Sequence, residues 1–441
     1  MDLKQKKIAF ISLGCDKNKV DLEEMMHNLS KFGFSFANSG KAQIVIINTC
    51  AFILSARKEA IDNILEMAQL KANGQIEKII VTGCLPQRYL EELEKFLPEV
   101  DKFVQIKDNK NIVQIIADLY GVEVKYNYES NQFIIPPSHY AFLKIADGCN
   151  NACAYCTIPR IRGRYISKTI PEVVSRAKQL VSKGARELIV VAQDVTRYGM
   201  DQYGEIKLIE LLEELVKIKD LKWVRLHYCY PELVSDQLLA YINSQPKICK
   251  YLDIPLQHID DKILKDMNRR CGEEETRQLI KNIKTNYPQI LIRSTFIVGF
   301  PGESRKQFKK LVEFLNEAKL DNVGFFAYSR EEGTKAFYMK SQIPEFIKRK
   351  RLKKIQEVQS KIALENNLSK IGRTEEIVVD RFIPEEGYFE CRTAQMSPDV
   401  DFCVKLDSSE KVEAGKFYKV VLTGFEDYFF TAKVLDEDKT L

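Results

Sequence analysis

The first part of the chain alternates short apolar runs with segments of helical periodicity. Three apolar runs have the length and residue types of buried strands: 8–13, 44–47 and 79–81. Two helical patterns separate them, at 20–32 and 55–70. This order of strand, helix, strand, helix and strand predicts a parallel sheet with helices packed on it, which we assign to residues 1–125.

The middle of the chain repeats the same pattern about six times. It follows residues 126–139, which have no clear period and contain Pro136 and Pro137, and which we interpret as a linker. The strand candidates are 141–145, 187–192, 223–227, 251–255, 291–298 and 323–328. Amphipathic helical patterns lie between them, for example at 171–182, 208–218, 273–284 and 306–317. Six such units predict a partial or complete β/α barrel over residues 140–370, with its chemistry at the carboxyl ends of the strands. A doubly wound sheet is the alternative topology.

The C-terminal segment, residues 371–441, contains short β-type runs separated by turn residues. The runs are 376–382, 387–393, 402–406, 417–423 and 428–434. Five short strands predict a small β-barrel of the OB type. The charged helix that precedes this segment carries the basic run KRKRLKK at 348–354, which we interpret as a solvated face rather than a nucleic-acid contact.

The composition is that of a globular protein, with 441 residues, 45% hydrophobic and 29% charged. No apolar stretch reaches about 18 residues, so we expect no membrane span. The N-terminal apolar run is short and lacks a cleavage site, so we expect no signal peptide and a cytoplasmic protein.

The charge is unevenly distributed along the chain. The net formal charge of +5 divides into −7 for residues 371–441 and +12 for residues 1–370. An acidic barrel binds a phosphate backbone poorly, because that affinity comes from basic side chains. The acidic C-terminal segment therefore favours a basic protein partner.

Three of the 11 cysteines follow the predicted N-terminal strands: Cys15, Cys50 and Cys84. In a chain without an export signal, metal ligation or catalysis is favoured over a disulfide framework. Because the carboxyl ends of parallel strands meet at one edge of a sheet, the three can form a shared ligand set. The alternative is that each fills space in the core as a small apolar residue.

Three more cysteines, Cys149, Cys153 and Cys156, form a CxxxCxxC motif on the loop after the first predicted barrel strand. Three thiolates at this spacing can hold three irons of a 4Fe-4S cluster and leave the fourth iron open to a small molecule. The alternative is a zinc site, which needs a fourth ligand. Because no second close Cys or His pair follows in the chain, we favour the open-iron cluster.

The two cysteine triads and several further stretches resemble the radical S-adenosylmethionine (SAM) methylthiotransferase family over essentially the whole chain. The further stretches include SLGCDKNKVD at 12–21, NTCAFILSA at 48–56, TGCLPQRY at 82–89, YLDIPLQHID at 251–260 and STFIVGFPGES at 294–304. The resemblance implies an N-terminal methylthiotransferase domain, a radical SAM domain and a C-terminal TRAM domain. The segments at 251–260 and 392–401 are similar to the branch that modifies ribosomal protein S12. Ser397 and Asp399 depart from the pattern of that branch, at positions that bear on how the TRAM domain docks its partner.

The resemblance implies two 4Fe-4S clusters. Cys149, Cys153 and Cys156 would bind the cluster that cleaves SAM to a 5′-deoxyadenosyl radical. The second cluster, which would carry the sulfur to be methylated and inserted, would be held by Cys15, Cys50 and Cys84. The implied reaction adds a methylthio group to the β-carbon of an aspartate in S12, either free or in the small subunit. A tRNA adenosine is the alternative substrate, as in the sister branch of the family.

Six further positions are expected to contact SAM. They are Tyr155 in the cluster loop, Arg162, Gln193 and Asp194 after the second barrel strand, and Gly299 and Gly302 of the GFPGE segment. The alternatives for these positions are a surface loop, a polar strand end and a tight turn. We also expect a protein reductant as an electron donor, no membrane partner, and a monomer.

Overall fold

The computed structural model describes residues 2–125 and 139–435. Apart from His139, the predicted linker lies outside the described residues. The N-terminal strands are β1 Lys7–Ser12, β2 Ser35–Phe36, β3 Ile44–Thr49, β4 Lys78–Gly83 and β5 Lys102–Phe103. The helices are α1 Asp16–Phe32, α2 Leu54–Ala72, α3 Cys84–Phe96 and α4 Ile112–Leu119. All pairings in this sheet are parallel, so the predicted architecture is confirmed.

The N-terminal strands lie in the order β2-β1-β3-β4-β5. The direction of this order reverses between β1 and β3, and such a switch point opens a crevice at the carboxyl ends of the strands. The three predicted strands are the three central ones, because β3 and β4 are apolar and buried along most of their length. The two-residue edge strands β2 and β5 carry no periodic pattern, and they were not predicted.

The central strands include six that form one parallel sheet and two that form a small antiparallel pair. They are β6 Tyr140–Lys144, β7 Ala146–Asp147, β8 Ile166–Ser167, β9 Glu187–Val191, β10 Trp223–Leu226, β11 Ile248–Asp253, β12 Leu291–Val298 and β13 Asn322–Ala327. The sheet has the order β13-β12-β11-β10-β9-β6. Because this order follows the chain without reversal and the sheet stays open, it is a partial β/α barrel. The doubly wound alternative is therefore wrong for this sheet.

The central helices cover the sheet and also form the loops at its carboxyl edge. They are α5 Ile158–Arg162, α6 Ile170–Ser182, α7 Met200–Tyr203, α8 Leu208–Val216, α9 Asp236–Ser244, α10 Asp261–Asp266, α11 Glu273–Asn286, α12 Arg305–Ala318 and α13 Glu345–Leu368. The solvated-face interpretation of the basic run in α13 is wrong for two of its residues. Both are buried: Lys348 donates to the carbonyl of Tyr328 after β13, and Arg351 donates to the carbonyl of Glu303 in the turn after β12.

The C-terminal strands are β14 Thr374–Ile383, β15 Tyr388–Thr393, β16 Cys403–Asp407, β17 Phe417–Glu426 and β18 Phe429–Val434. They form a closed barrel in the order β14-β15-β16-β18-β17, as predicted. Val378 and Phe417 of this barrel pack against Trp223, Tyr251 and Leu291 of the central sheet. Among the described residues, no helix is long and apolar enough to cross a membrane.

Candidate active site

The structure brings the three N-terminal cysteines to the crevice at the switch point. Cys15 follows β1, Cys50 directly follows β3, and Cys84 begins α3 directly after β4. The side-chain oxygen of Asn18 lies 4.0 Å from the sulfur of Cys15 and 3.8 Å from that of Cys84. A Cβ added at Gly14 would lie 3.2 Å from the sulfur of Cys50. Three thiols from three strand ends therefore face one space.

Asn18 also holds the strand ends that carry these thiols. Its amide nitrogen donates to the carbonyl oxygens of Leu13 and Thr49, each at 3.0 Å. Its side chain thereby connects the carboxyl ends of β1 and β3 across the switch point. An asparagine three residues after Cys15 lies on the first turn of α1, so its contact with the cysteine loop follows from helical geometry.

Arg162 of the central domain reaches this N-terminal crevice. Its guanidinium donates to the side-chain oxygen of Asn18 at 2.7 Å and forms ion pairs with Asp21 at 2.7 Å and Asp147 at 3.0 Å. Lys144 pairs with Asp21 at 2.6 Å and with Asp147 at 3.3 Å. Burial alone would lower the pKa of Arg162, but the two carboxylates raise it, so the guanidinium stays charged. The positive charges of Arg162 and Lys144 are thus neutralised by Asp21 and Asp147 at the contact between the two domains.

The second cysteine triad lies on one loop between β7 and α5. Backbone N–H groups of Asn151 and Ile158 lie 3.5 Å from the sulfur of Cys149 and 3.4 Å from that of Cys156, in positions to donate. Hydrogen bonds of this kind to sulfur are one way in which proteins tune iron–sulfur clusters. The side chain of Asn268 supports the loop by donating to the carbonyl of Ala152 at 3.0 Å.

The thiols in both triads are poor acids in the surroundings that the chain alone provides. Burial raises the pKa of Cys50, of Cys149 and of Cys156, and raises that of Cys84 to about 12. A bound metal replaces the thiol proton, so these sites can form thiolates when iron is bound. In the part of the chain that the structure describes, no group of three or more His, Cys, Asp or Glu side chains could hold a single metal ion. A zinc site needs its sulfur ligands about 2.3 Å from one centre, whereas the cysteines of a cluster bind different irons.

Gln193 and Asp194 follow β9 and lie beside the second triad. The amide nitrogen of Gln193 donates to Asp147 at 3.0 Å, and its oxygen is buried with no hydrogen-bond partner among the described residues. An orphaned acceptor of this kind is expected to meet a donor when a ligand binds. Asp194 is completely buried and accepts from Asn151 at 2.9 Å and from Thr196 at 2.7 Å. Asp194 therefore supports the cysteine loop through Asn151.

The turn after β12 contains Gly299, Gly302 and Glu303. Both glycines have positive φ, 72° and 85°, as predicted for a tight turn. Glu303 is buried and accepts from the backbone N–H of Gly299 at 2.6 Å and from Arg351 at 2.6 Å. A Cβ at Gly299 would lie 2.3 Å from the side chain of Lys348. Helix α13 therefore supports this turn through Lys348, which packs against Gly299, and Arg351, which bonds to Glu303.

A mainly apolar cavity of about 210 Å³ lies between the two cysteine-bearing regions. Phe52 and Ile53, which follow Cys50, line one side of it. Tyr155 of the CxxxCxxC loop lines it as well, together with Thr295 and Phe326 of the central sheet. The cavity thus has walls from both domains, at the carboxyl edge where a barrel of this type carries its chemistry.

The segment 394–401 faces the other domains. Ser397 lies 2.9 Å from Nε2 of His227, and Asp399 pairs with Lys19 of α1 at 2.9 Å. The hydroxyl of Tyr251 donates to Asp401 at 2.7 Å. The two departures noted in the sequence therefore make contacts within this chain.

Comparison with known protein families identifies the class of protein. The model of uncharacterized protein family UPF0004 matches residues 7–105, that of the radical SAM superfamily matches residues 143–315, and that of the TRAM domain matches residues 371–435. The radical SAM methyltransferase TsrM from Kitasatospora setae has a similar fold, with a TM-score of 0.53, 13% identity and coverage of 73% of both chains. The chain is a radical SAM enzyme, a class that uses a 4Fe-4S cluster and SAM.

Full-length relatives identify the family within this class. The ribosomal protein uS12 methylthiotransferase RimO of Thermoanaerobacter sp. (strain X514) is 42% identical over 96% of this chain and 98% of its own length. The protein of the same name from Clostridioides difficile (strain 630) is 42% identical over 98% of this chain and 99% of its own. This chain belongs to the RimO family of methylthiotransferases.

The structure therefore groups the sequence-predicted residues into two neighbourhoods. Cys15, Cys50 and Cys84 lie together with Arg162, whereas the CxxxCxxC loop lies with Tyr155 and Asp194. Sequence reasoning missed Asn18 and also Arg269, whose Nη1 lies 3.9 Å from the sulfur of Cys153. Nothing in the sequence pattern marks Arg269.

Proposed function

We propose that this enzyme adds a methylthio group to the β-carbon of an aspartate in ribosomal protein S12. The observation that carries the proposal is the identity of 42% over 98% of the length of a relative with this named activity. The cavity between the two cysteine-bearing regions supports it, because sulfur insertion requires both centres to reach one carbon atom.

Cys149, Cys153 and Cys156 would hold the radical SAM cluster. Their sulfurs are the ligand type that iron–sulfur clusters take, and the loop offers no fourth cysteine, which leaves one iron for SAM. When bound, this group supplies a 5′-deoxyadenosyl radical that can remove a hydrogen atom from an unactivated carbon. The hydrogen bond from Asn151 to Asp194 holds this loop in place.

The residues around the second triad orient SAM. The orphaned oxygen of Gln193 is available to accept from the amino group of SAM. The positive-φ turn at Gly299 and Gly302 would allow SAM to approach the backbone closely. Tyr155 lines the cavity, where its side chain could contact SAM. Arg162 would lie between the two sites, where its charge is shared with Asp21 and Asp147.

Cys15, Cys50 and Cys84 would hold a second 4Fe-4S cluster, which would carry the sulfur to be inserted. Three sulfurs that face one space support this assignment, since three protein ligands leave one iron for an exogenous group. The enzyme would act as a monomer in the cytoplasm and receive electrons from a protein reductant.

The proposal is tested by an anaerobic reaction of the reconstituted enzyme with SAM, reductant and sulfide. Purified S12 or small ribosomal subunits are offered in one tube, and unmodified tRNA in another. Mass spectrometry is expected to find the methylthio increment on an S12 aspartate and to find none when Cys149 is replaced by Ala. An increment on tRNA alone would overturn the assignment of substrate.

A further inference from the structure

Arg269 is a half-buried arginine beside the second cysteine triad. It follows α10, and its Nη2 donates to the carbonyl of Pro255 at 2.9 Å. Its Nη1 lies 3.9 Å from the sulfur of Cys153. The guanidinium also packs on the ring of Tyr230, 4.4 Å from its centroid. The carbonyl of Pro255 and the ring of Tyr230 therefore fix the guanidinium, and its Nη1 faces the sulfur of Cys153.

Arg269 lacks the acidic partner that Arg162, Arg225 and Arg351 have. Arg162 pairs with Asp21, Arg225 with Glu187 and Arg351 with Glu303, at distances between 2.6 and 2.7 Å. Among the described residues, Arg269 forms no ion pair. Glu232 is close enough to act on its charge, but it makes no such contact.

Partial burial of a cation without an anion is unfavourable, because the charge loses part of its hydration without compensation. The thiolates of a cluster at Cys149, Cys153 and Cys156 would supply the missing negative charge at the point that Arg269 already faces. The uncompensated guanidinium and the cysteine triad thus complement each other.

We propose that Arg269 is a positioning residue that stabilises the reduced form of the radical SAM cluster and so raises its reduction potential. Reduction adds one electron to the cluster, and a fixed cation nearby lowers the free energy of the more negative state. Cluster charge and surroundings are known determinants of such potentials. This inference rests on the proposed function only in requiring a 4Fe-4S cluster at the CxxxCxxC loop.

The test uses the full chain with Cys15, Cys50 and Cys84 replaced by Ala, which leaves one cluster site. In this background, R269Q removes the charge, R269K keeps it, and R270Q removes the charge of the adjacent exposed arginine. Iron content is measured first, and the reduction potential is then measured by titration with dithionite followed by electron paramagnetic resonance. SAM cleavage is measured at fixed reductant.

R269Q is expected to shift the potential to more negative values and to slow SAM cleavage about tenfold or more, which is the usual effect of losing an outer-shell partner. R269K is expected to restore most of the potential. R270Q is expected to leave it unchanged, because water and salt screen an exposed charge. Loss of the cluster in R269Q but not in R269K would support the same role for the charge.

Two results would overturn the proposal. Equal potentials in R269Q and the parent, at equal iron content, would show that the charge does not act on the cluster. Loss of the cluster in both R269Q and R269K would assign Arg269 a packing role instead. Failure of the proposed cluster assignment is distinguishable from both, since the parent itself would then bind no 4Fe-4S cluster, and a substrate other than S12 would leave the measured potentials unaffected.

Discussion

The two cysteine triads of this enzyme are built in different ways. Cys15, Cys50 and Cys84 come from the ends of three strands, and only the folded N-terminal sheet brings them together. The CxxxCxxC triad lies within one short loop, where backbone N–H groups and a few neighbouring side chains shape it. The first triad therefore depends on tertiary structure, and the second depends mainly on local backbone.

The charges beside the two triads differ as well. Arg162 and Lys144 are balanced by Asp21 and Asp147 before any cofactor binds. Arg269 has no such balance among the described residues. The charges beside the N-terminal triad are thus balanced in the protein alone, whereas those beside the central triad would be balanced by the proposed cluster.

Replacing one cysteine in each triad should separate the two functions most strongly. We expect Cys149→Ala to abolish both SAM cleavage and methylthio transfer. Cys50→Ala should abolish transfer but leave SAM cleavage measurable. Each variant should lose about half of the bound iron, since we propose that each triad holds one cluster. Iron content, 5′-deoxyadenosine release and the mass of S12 measure the three quantities.

Cys403→Ala provides the control for these variants, because Cys403 lies in β16 of the C-terminal barrel and belongs to neither triad. It should keep full iron content and both activities. Equal loss of SAM cleavage in Cys50→Ala and Cys149→Ala would contradict the division of roles.

A matched pair of glycines tests how each triad depends on backbone. Gly83 directly precedes Cys84 with φ 94°, and Gly148 directly precedes Cys149 with φ 76°. A Cβ would lie 2.4 Å from the backbone oxygen of Thr49 in the first case and 2.0 Å from that of Arg164 in the second. The conformations alone make alanine cost about 1–3 kcal/mol at each position.

We expect Gly83→Ala to lower iron at the N-terminal triad and to spare SAM cleavage, and Gly148→Ala to do the reverse. Gly40→Ala is the control, because a Cβ at Gly40 meets nothing within 4 Å. Iron content and 5′-deoxyadenosine release distinguish the variants. Identical losses in both would mean that the two triads do not fold independently of each other.

The difference between features set by local sequence and features set by tertiary contacts also explains what could be predicted from the sequence. The central strands and the closed C-terminal barrel followed from apolar runs, since burial on both faces leaves a clear pattern. The convergence of the N-terminal cysteines followed from strand direction alone. β11 begins three residues before its predicted start, because the polar Lys250 interrupts the apolar pattern.

The remaining features depend on contacts between segments that are distant in sequence. Lys348 and Arg351 look solvated in a basic run, and they are buried because Glu303 and the carbonyl of Tyr328 lie opposite them. Arg269 lies next to Arg270 in a segment without a periodic pattern. Its role could be inferred only after the fold placed it beside Cys153.

Removing one arginine from each site should reveal the difference in charge balance in the apoprotein. Arg162→Gln leaves the buried Asp21 and the half-buried Asp147 with one fewer cation, and we expect it to lower the free energy of unfolding by about 3 kcal/mol. Arg269→Gln removes an uncompensated charge and is expected to change it by less than about 1 kcal/mol. Urea unfolding followed by the fluorescence of Trp223, the single tryptophan, measures both.

Arg162→Lys is the control for packing and should recover part of the loss. Equal destabilisation by Arg162→Gln and Arg269→Gln would show that both guanidiniums are already compensated in the apoprotein, and would remove the electrostatic contrast.

The smallest expected effect is on the pH dependence of stability, because the pKa of Glu303 is raised whereas that of Asp16 is lowered. Burial raises the pKa of Glu303 to about 7, against the opposing effect of Arg351. The folded protein then holds this proton more tightly than the unfolded chain, so stability falls as pH rises from about 4.5 to 7. His258 acts in the other direction, because burial lowers its pKa to about 4 and stability rises between there and its ordinary value near 6.5.

Comparison with Glu303→Gln isolates the effect of the carboxyl group. Between pH 5 and 8, the apoprotein should lose stability relative to Glu303→Gln, by on the order of 1–2 kcal/mol. Asp16, beside Cys15, is the counterpart. Burial would raise its pKa, but His227, Lys17 and Lys19 together outweigh this and lower it. Its contribution is therefore lost as the pH falls through the lowered pKa, so the difference between wild type and Asp16→Asn should shrink in acid. Urea midpoints at three pH values measure both differences, and a flat difference for Glu303→Gln would show that Arg351 keeps Glu303 ionised in the folded enzyme.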